Sequence, residues 1–270
     1  MPIHSEIYNI FSVRYDAKVS QQNVAVLVGA TDLGMTVARR LHGHRLIIAD
    51  SANELGRFVS RAACVRHLIV DTTVDADAES VQSVLQRVWI DPVHILDAFA
   101  PIVAAGASSV VICDSSARDA MIDPYDEEAL TLLPVSRLPR LQIAAPQRFP
   151  DARAARSFAM RAIQLRIRTA NAMWTHCRGA RVNSLTVSAV SSETCPVAGV
   201  ADVATFLLSD ESRCVAGADI VVDGGMSAAG RYDGEVPTED ILAANDTVQP
   251  HDAAVGGTNL PGRFTRLRSV

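Results

Sequence analysis

The strongest constraint on the fold is a short aliphatic run that ends in glycine and leads directly into a helical pattern. Residues 23–29 read NVAVLVG, an uninterrupted run of the kind that forms a parallel strand buried on both faces. From Leu33 to Leu41 the apolar residues recur at helical spacing, and residues 45–50, RLIIAD, supply a second strand. Strand, glycine turn, helix and strand form a right-handed βαβ unit. The chain is therefore predicted to build a parallel sheet.

Strands and helices continue to alternate over most of the chain. Further strands are predicted at residues 65–70, 109–113, 181–187 and 218–223. Helices are predicted at residues 51–63, 79–106, 127–133, 154–177 and 200–208. Within the second helical interval, Asp91 is predicted to cap a restart of the helix at Pro92. We therefore expect an α/β fold with a single doubly wound parallel sheet and helices on both faces.

Composition restricts both the domain organisation and the partners. The 270 residues, 49% of them hydrophobic, allow one sizeable core, which we place at residues 23–226 between an N-terminal extension (1–22) and a C-terminal tail (227–270). A net charge of −5 without a basic run argues against nucleic acid. No stretch matches a signal peptide or a membrane span, so a cytoplasmic protein is expected. The five cysteines never occur as CxxC and the histidines are scattered, so no metal site is predicted.

Three stretches together resemble the short-chain dehydrogenase/reductase family over residues 24–226. They are VLVGATDLGMTVARRL at 26–41, GARVNSLTV at 179–187 and VADVATFLLSDESRCVAGADIVVDGG at 200–225. The third is the most specific, because a helix, a connector and a terminal strand with its DGG follow in the order and spacing of the family. The resemblance implies a Rossmann-like fold and an NAD-dependent oxidoreductase reaction.

The resemblance also implies a cofactor site, from which this chain departs. Gly29 and Gly34 match the turn that approaches the pyrophosphate, and Asp50 matches the acid that binds the adenosine ribose of NAD. The turn is one residue short, and Asp32 or Leu33 replaces its middle glycine. A carboxylate beside a pyrophosphate repels it, and Asp50 reads equally well as a strand end that caps a helix. We expect no bound cofactor, and NAD if there is one.

The family reaction uses a tyrosine as general acid, a lysine four residues later, a serine and an asparagine. No tyrosine occurs between Tyr125 and Tyr232, and the only lysine is Lys18. The serine position falls on Asp114, whose negative charge would oppose a developing oxyanion. The asparagine position falls on Trp89, which cannot relay a proton.

The tyrosine and lysine positions can be read in two registers. They are Arg156 and Met160 in one, and Ser157 and Arg161 in the other. Arginine stays protonated at neutral pH, and serine without a base is a poor proton donor. In neither register is a catalytic centre predicted.

Two segments are also shorter than the resemblance implies. About fifteen residues separate the strand at 45–50 from the next one, so an edge strand and its helix are expected to be missing. Only twelve residues, 188–199, occupy the interval of the family's helical lid over substrate. A shortened edge and lid leave little room for a substrate pocket.

The parts that still resemble the family are those through which its subunits assemble. The leading hypothesis is a non-catalytic subunit that pairs with an active subunit of this family through helices 79–105 and 154–177 and the terminal helix and strand 200–223. Heteromeric family members with one degenerate subunit resemble this arrangement.

Two further hypotheses remain open. One is a regulatory or sensor module that binds NAD through Gly29, Gly34 and Asp50. The other is a diverged oxidoreductase with a site rebuilt from Ser115, Arg156 or Asp114. Binding of NAD by the isolated chain would favour the first of these, and turnover of a carbonyl or alcohol substrate would favour the second.

Overall fold

The computed structural model describes residues 23–49, 65–73, 80–188 and 195–227. All of these residues except Ser227 lie in the first of two compact units, Met1–Met226. Several predictions fall outside the described residues, namely the N-terminal extension, the helix at 51–63, Asp50, half of the shortened lid (189–194) and the C-terminal tail beyond Ser227. These stay predictions.

Six described strands form one parallel sheet in the order β2-β1-β3-β4-β5-β6. They are β1 (Val24–Val28), β2 (Arg45–Ala49), β3 (Val65–Asp71), β4 (Val103–Asp114), β5 (Arg181–Val187) and β6 (Asp219–Val222). The predicted doubly wound parallel sheet is confirmed. Within the described part of the chain, β2 and β6 form its two edges.

The described residues contain six α-helices. They are α1 (Asp32–Arg40), α2 (Val81–Val84), α3 (Asp91–Phe99), α4 (Pro124–Leu132), α5 (Ala152–Arg178) and α6 (Val197–Leu208). Alternate strand residues point to opposite faces, so Val26 and Val28 pack with α2, α3 and α5, while Leu27 packs with α1 and α6. The core therefore has two layers of helices around the sheet, as the pattern predicts.

The prediction of a helix over 79–106 that restarts at Asp91 is wrong in two respects. A π-helical turn (Leu85–Ile90) joins α2 to α3 without a break, and Asp91 has helical angles instead of those of an N-cap. Because proline lacks an N–H and crowds the preceding turn, the wider π-turn lets the helix pass through Pro92. The helix ends at Phe99, and β4 begins at Val103.

Helix α5 is enclosed on two sides, as its two apolar stripes indicate. One side packs on the sheet, where the Asn171 side chain accepts a hydrogen bond from the Val182 amide at 2.9 Å. Across the helix lies α4, whose Leu130 is fully buried. Arg166, itself buried, donates to the Thr131 carbonyl at the carboxyl end of α4 at 2.7 Å. A segment of the same chain therefore covers part of the outer surface of α5.

Candidate functional site

The ends of β1, β3 and β4 meet at the carboxyl edge of the sheet, where ligands bind in open α/β folds. The turn Gly29–Thr31 follows β1, Asp71 ends β3, and Asp114 ends β4. These segments correspond to the cofactor turn and the serine position predicted from the sequence, so this edge is the candidate site.

The two predicted cofactor glycines, Gly29 and Gly34, both lie against Asp71. A Cβ atom on Gly29 would lie 2.3 Å from the carbonyl oxygen of Asp71, and one on Gly34 would lie 2.9 Å from its Oδ2. Gly29 also has a φ of +84°, which only glycine adopts readily. The glycines therefore allow β3 and its terminal carboxylate to approach the turn closely.

The Asp71 carboxylate takes hydrogen bonds that a phosphate would otherwise receive at this turn. Its Oδ2 accepts from the Gly34 amide at 3.0 Å and from the Thr31 hydroxyl. Asp32, exposed in the first turn of α1, adds a second carboxylate. This turn does not fit a pyrophosphate, because the Asp71 carboxylate already takes its donors and the two carboxylates add negative charge to the turn. The predicted third contact, Asp50, lies outside the described residues.

An ion pair joins two residues that the sequence predicts at the serine and tyrosine positions of the family. Arg156 on α5 binds Asp114 at the end of β4, with both its Nε and its Nη2 atom 2.5 Å from Oδ2. The other carboxylate oxygen of Asp114 accepts hydrogen bonds from the amide and the hydroxyl of Ser116. The pair is largely enclosed, since the side chains of Arg156 and Asp114 are 12% and 23% exposed.

The two candidate residues for the tyrosine position, Arg156 and Ser157, differ in whether they contact Asp114. Arg156 contacts it, whereas the Ser157 hydroxyl donates to the Arg153 carbonyl of its own helix. Met160, one turn after Arg156, is fully buried, and its sulfur accepts from the Thr72 hydroxyl at 3.4 Å. Arg161 points elsewhere and pairs with Glu127 on α4 at 2.5 Å. Of the two candidate pairs, Arg156 and Met160 are therefore the one whose side chains contact residues at the ends of β4 and β3.

Trp89, the predicted occupant of the asparagine position, lies in the hydrophobic core. It is 1% exposed and meets the Phe158 ring edge to face at a centroid distance of 5.5 Å. Its indole N–H has no hydrogen-bond partner among the described residues. Trp89 therefore packs α3 and the π-turn against α5 and has no polar role at the sheet edge.

Neither a reactive thiol nor a metal site is found at this edge among the described residues. Burial raises the pKa of the Cys113 thiol well above its usual range, so it is not a thiolate at neutral pH. The described residues contain no group of His, Cys, Asp or Glu side chains placed to hold a metal ion. None of the described helices has the length and apolar character that crossing a membrane requires.

Asp71 is the site residue that sequence reasoning missed. It is 5% exposed, and burial raises its pKa, while the hydrogen bonds from Thr31, Thr73 and Gly34 act in the opposite direction. One signal was present: the buried apolar run of β3 ends in an acid, next to the strand that carries the glycine turn. Adjacent parallel strands end at the same edge, so such an acid lies beside the turn.

Breaking the Arg156–Asp114 pair tests whether it holds α5 to the sheet. We expect Arg156→Ala to lower the free energy of unfolding by about 1–3 kcal/mol, because it leaves a partly buried carboxylate without its guanidinium. Arg156→Lys should retain only part of the stability that Arg156→Ala loses, since an ammonium cannot reproduce the two guanidinium contacts. Urea unfolding measures both.

The surface pair Arg66–Asp210, with Asp210 86% exposed, is the matched control. A double-mutant cycle there should give a coupling energy of less than about 1 kcal/mol. A coupling between Arg156 and Asp114 no larger than that of the control pair would contradict a structural role for the site pair.

Comparison with known proteins supports the fold. No family model matches this chain, and no curated protein sequence does so either. Among solved structures, the 3-alpha-hydroxysteroid dehydrogenase from Pseudomonas sp. B-0831, complexed with NADH, is 18% identical, with a TM-score of 0.63 over 78% of this chain and 100% of that one. A short-chain dehydrogenase family protein from Francisella tularensis is 14% identical, with a TM-score of 0.57 over 77% and 100% of the two chains.

A third similar structure is the TT0495 protein from Thermus thermophilus, 17% identical with a TM-score of 0.57 over 77% of this chain and 100% of that one. Identities this low establish likeness of fold alone. The sheet order and both helical layers agree with that likeness. The chain has the Rossmann-like α/β fold of the short-chain dehydrogenases.

Proposed function

We propose that this chain is a non-catalytic subunit that assembles with an active short-chain dehydrogenase subunit in an NAD-dependent dehydrogenase of alcohols or hydroxyacyl-CoA compounds. The observation that carries the proposal is the Arg156–Asp114 ion pair at the position of the family's catalytic acid. The candidate assembly is the hydroxybenzylsuccinyl-CoA dehydrogenase of anaerobic toluene degradation, which this arrangement of one intact and one degenerate subunit resembles.

The ion pair has no group suited to the dehydrogenase reaction. An arginine remains protonated at every physiological pH and cannot act as general acid or base. Asp114 places negative charge where an oxyanion would develop. Met160, at the lysine position in this register, carries no charge that could lower the pKa of a phenol. The active site and its NAD are therefore assigned to the partner subunit.

The terminal helix and strand offer a surface for that partner. Strand β6 pairs only with β5 within the described part of the chain, so one side of its backbone can accept another strand. Val221 on β6 and Phe206 on α6 are 41% and 44% exposed and would supply apolar contacts to the partner. These two elements are our principal contact surface.

We expect the long helices to contribute less to the partner contact than the terminal helix and strand. The outer surface of α5 is partly covered by α4, through Arg166, Leu130 and the Arg161–Glu127 pair. The exposed positions of α2, the π-turn and α3 are mostly polar, with Gln82, Gln86 and His94 among them. With β6 and α6 as its one main contact surface, we expect one copy of this chain to pair with one active subunit.

Co-expression with reductases that carry an intact Tyr-xxx-Lys pair tests the proposal. We expect stoichiometric co-purification with one of them, and Val221→Glu should weaken that association about tenfold or more, because it places a charge in an apolar contact. The matched control is Leu132→Glu on α4, which also replaces an exposed apolar residue, 62% exposed, but lies away from β6. Analytical ultracentrifugation and pull-down give the readout.

Three outcomes would contradict the proposal. A stable homotetramer that ignores every such partner would remove the assembly role. Equal loss of association in Val221→Glu and Leu132→Glu would remove the assigned surface. Turnover of an alcohol or carbonyl substrate by the chain alone would instead favour a site rebuilt from Ser115, Arg156 or Asp114.

A further inference from the structure

Helix α1 begins with donors that point toward the end of β3. Thr31 is its N-cap, and the Thr31 hydroxyl oxygen accepts from the Gly34 amide at 3.2 Å. The free amides of a first helical turn, together with the helix dipole, attract an anion. In dinucleotide-binding folds this anion is the pyrophosphate of the cofactor.

In this chain four donors converge on one buried carboxylate at that position. The Gly34 amide and the Thr31 hydroxyl bind Oδ2 of Asp71. The Thr73 amide and hydroxyl bind its Oδ1 at 2.9 Å and 2.6 Å. A carboxylate that is 5% exposed needs such contacts to remain charged, and here both its oxygens have them.

The glycines make this arrangement possible. Any side chain at Gly29 or Gly34 would collide with the backbone or the carboxylate of Asp71. The turn is thus shaped around the internal carboxylate in the way that a dinucleotide-binding turn is shaped around a phosphate.

We propose that Asp71 is a built-in anion that replaces the cofactor phosphate at the start of α1 and so excludes dinucleotides from this chain. The reason is electrostatic and steric together. A phosphate oxygen and the Asp71 carboxylate require the same donors, and two negative groups in contact at a poorly solvated site repel strongly. This inference stands apart from the proposed assembly, because a subunit could pair with a partner whether or not it binds a nucleotide.

Removal of the carboxylate tests this inference with defined probes. In the full-length protein, Asp71→Ser should gain affinity for ADP by about tenfold or more over the wild type, as measured by calorimetry. Inorganic phosphate should raise the thermal midpoint of Asp71→Ser more than chloride does at equal ionic strength, because the ion restores a partner to Gly34 and Thr31. The wild type should show neither effect.

Asp123→Ser, which replaces the exposed N-cap carboxylate of α4 by another capping group, is the control and should show no phosphate effect. If Asp71→Ser does not fold, Asp71→Asn, which keeps the shape and removes the charge, is measured in the same way. Binding of ADP or NADH by the wild type with a dissociation constant below about 100 µM would overturn the inference. A folded Asp71 variant that gains neither affinity for ADP nor stabilisation by phosphate would also overturn the inference.

Discussion

Gly29→Ala should lower the free energy of unfolding by about 3 kcal/mol or more, and Gly43→Ala by only about 1–2 kcal/mol. The two glycines have nearly the same backbone conformation, with φ of +84° and +81°. Each alanine therefore carries the same strain of a left-handed conformation. The difference between the two losses in free energy of unfolding therefore measures the steric clash of each Cβ atom with neighbouring residues.

The surroundings of the two glycines could hardly differ more. A Cβ atom at position 29 would lie 2.3 Å from the carbonyl oxygen of Asp71, whereas nothing lies within 4 Å of one at Gly43. Relief of that contact requires β1 or β3 to move, and both strands lie in the interior of the sheet. Chemical denaturation of the two variants side by side gives the comparison. Equal losses would mean that β3 does not approach the turn closely.

The strands of this chain could be predicted because their local patterns agree with their place in the sheet. The predicted strand at 23–29 contains β1, which is buried from Ala25 to Val28. Burial on both faces selects a continuous apolar and β-branched run, so the pattern and the structure report the same constraint. The missing tyrosine and lysine could also be predicted, because an absent residue type needs no alignment.

The ends of α3 and β4 could not be predicted in the same way. Residues 103–108, VAAGAS, are small and favour neither state, so the helical pattern of 79–99 was extended through them. Pairing with β3 decides the outcome, since Val65 and His67 align with Val103 and Ser108 across an irregular register. The passage of the helix through Pro92 likewise depends on a π-turn, which periodicity does not signal.

The contacts of the candidate site could not be predicted either, because they join residues far apart in the sequence. Asp71 and Gly34 lie 37 positions apart, and their hydrogen bond depends on how two strands align at the sheet edge. The sequence likewise leaves two registers open at Arg156, because its contact with Asp114 joins residues 42 positions apart. The cover of α4 over α5 also depends on tertiary contacts, among them the Arg166 bond to Thr131, 35 positions apart.

His67 should make the chain less stable as the pH falls from 6.5 to 4. It is 7% exposed near the amino end of β3, and its Nδ1 lies 2.9 Å from the Ser108 hydroxyl oxygen. That hydroxyl donates to the Leu208 carbonyl at 2.6 Å, so the His67 Nδ1–H is the donor to Ser108. Burial, assisted by nearby positive groups including Arg66, lowers the pKa of His67 to about 4.

The direction of the pH effect follows from proton uptake by the unfolded chain. Between pH 6.5 and 4 the unfolded histidine binds a proton while the folded one does not, so protonation favours unfolding. Stability from this group is complete above pH 6.5 and is lost as the pH approaches 4. A change of pKa from 6.5 to about 4 corresponds to roughly 3 kcal/mol at the acid end of this window.

Comparison of the wild type with His67→Asn isolates this contribution. Asparagine keeps an N–H donor for Ser108 and does not titrate, so the variant should lose less stability than the wild type between pH 7 and 4. The wild type must be compared with this variant because other groups also titrate in this range. Burial raises the pKa values of Asp71 and Asp97, and their protonation stabilises the folded chain while that of His67 destabilises it. His176→Gln, which replaces an exposed histidine near the end of α5, serves as the control and should follow the wild type. Parallel curves for the wild type and His67→Asn would show that His67 titrates alike in the folded and unfolded chain.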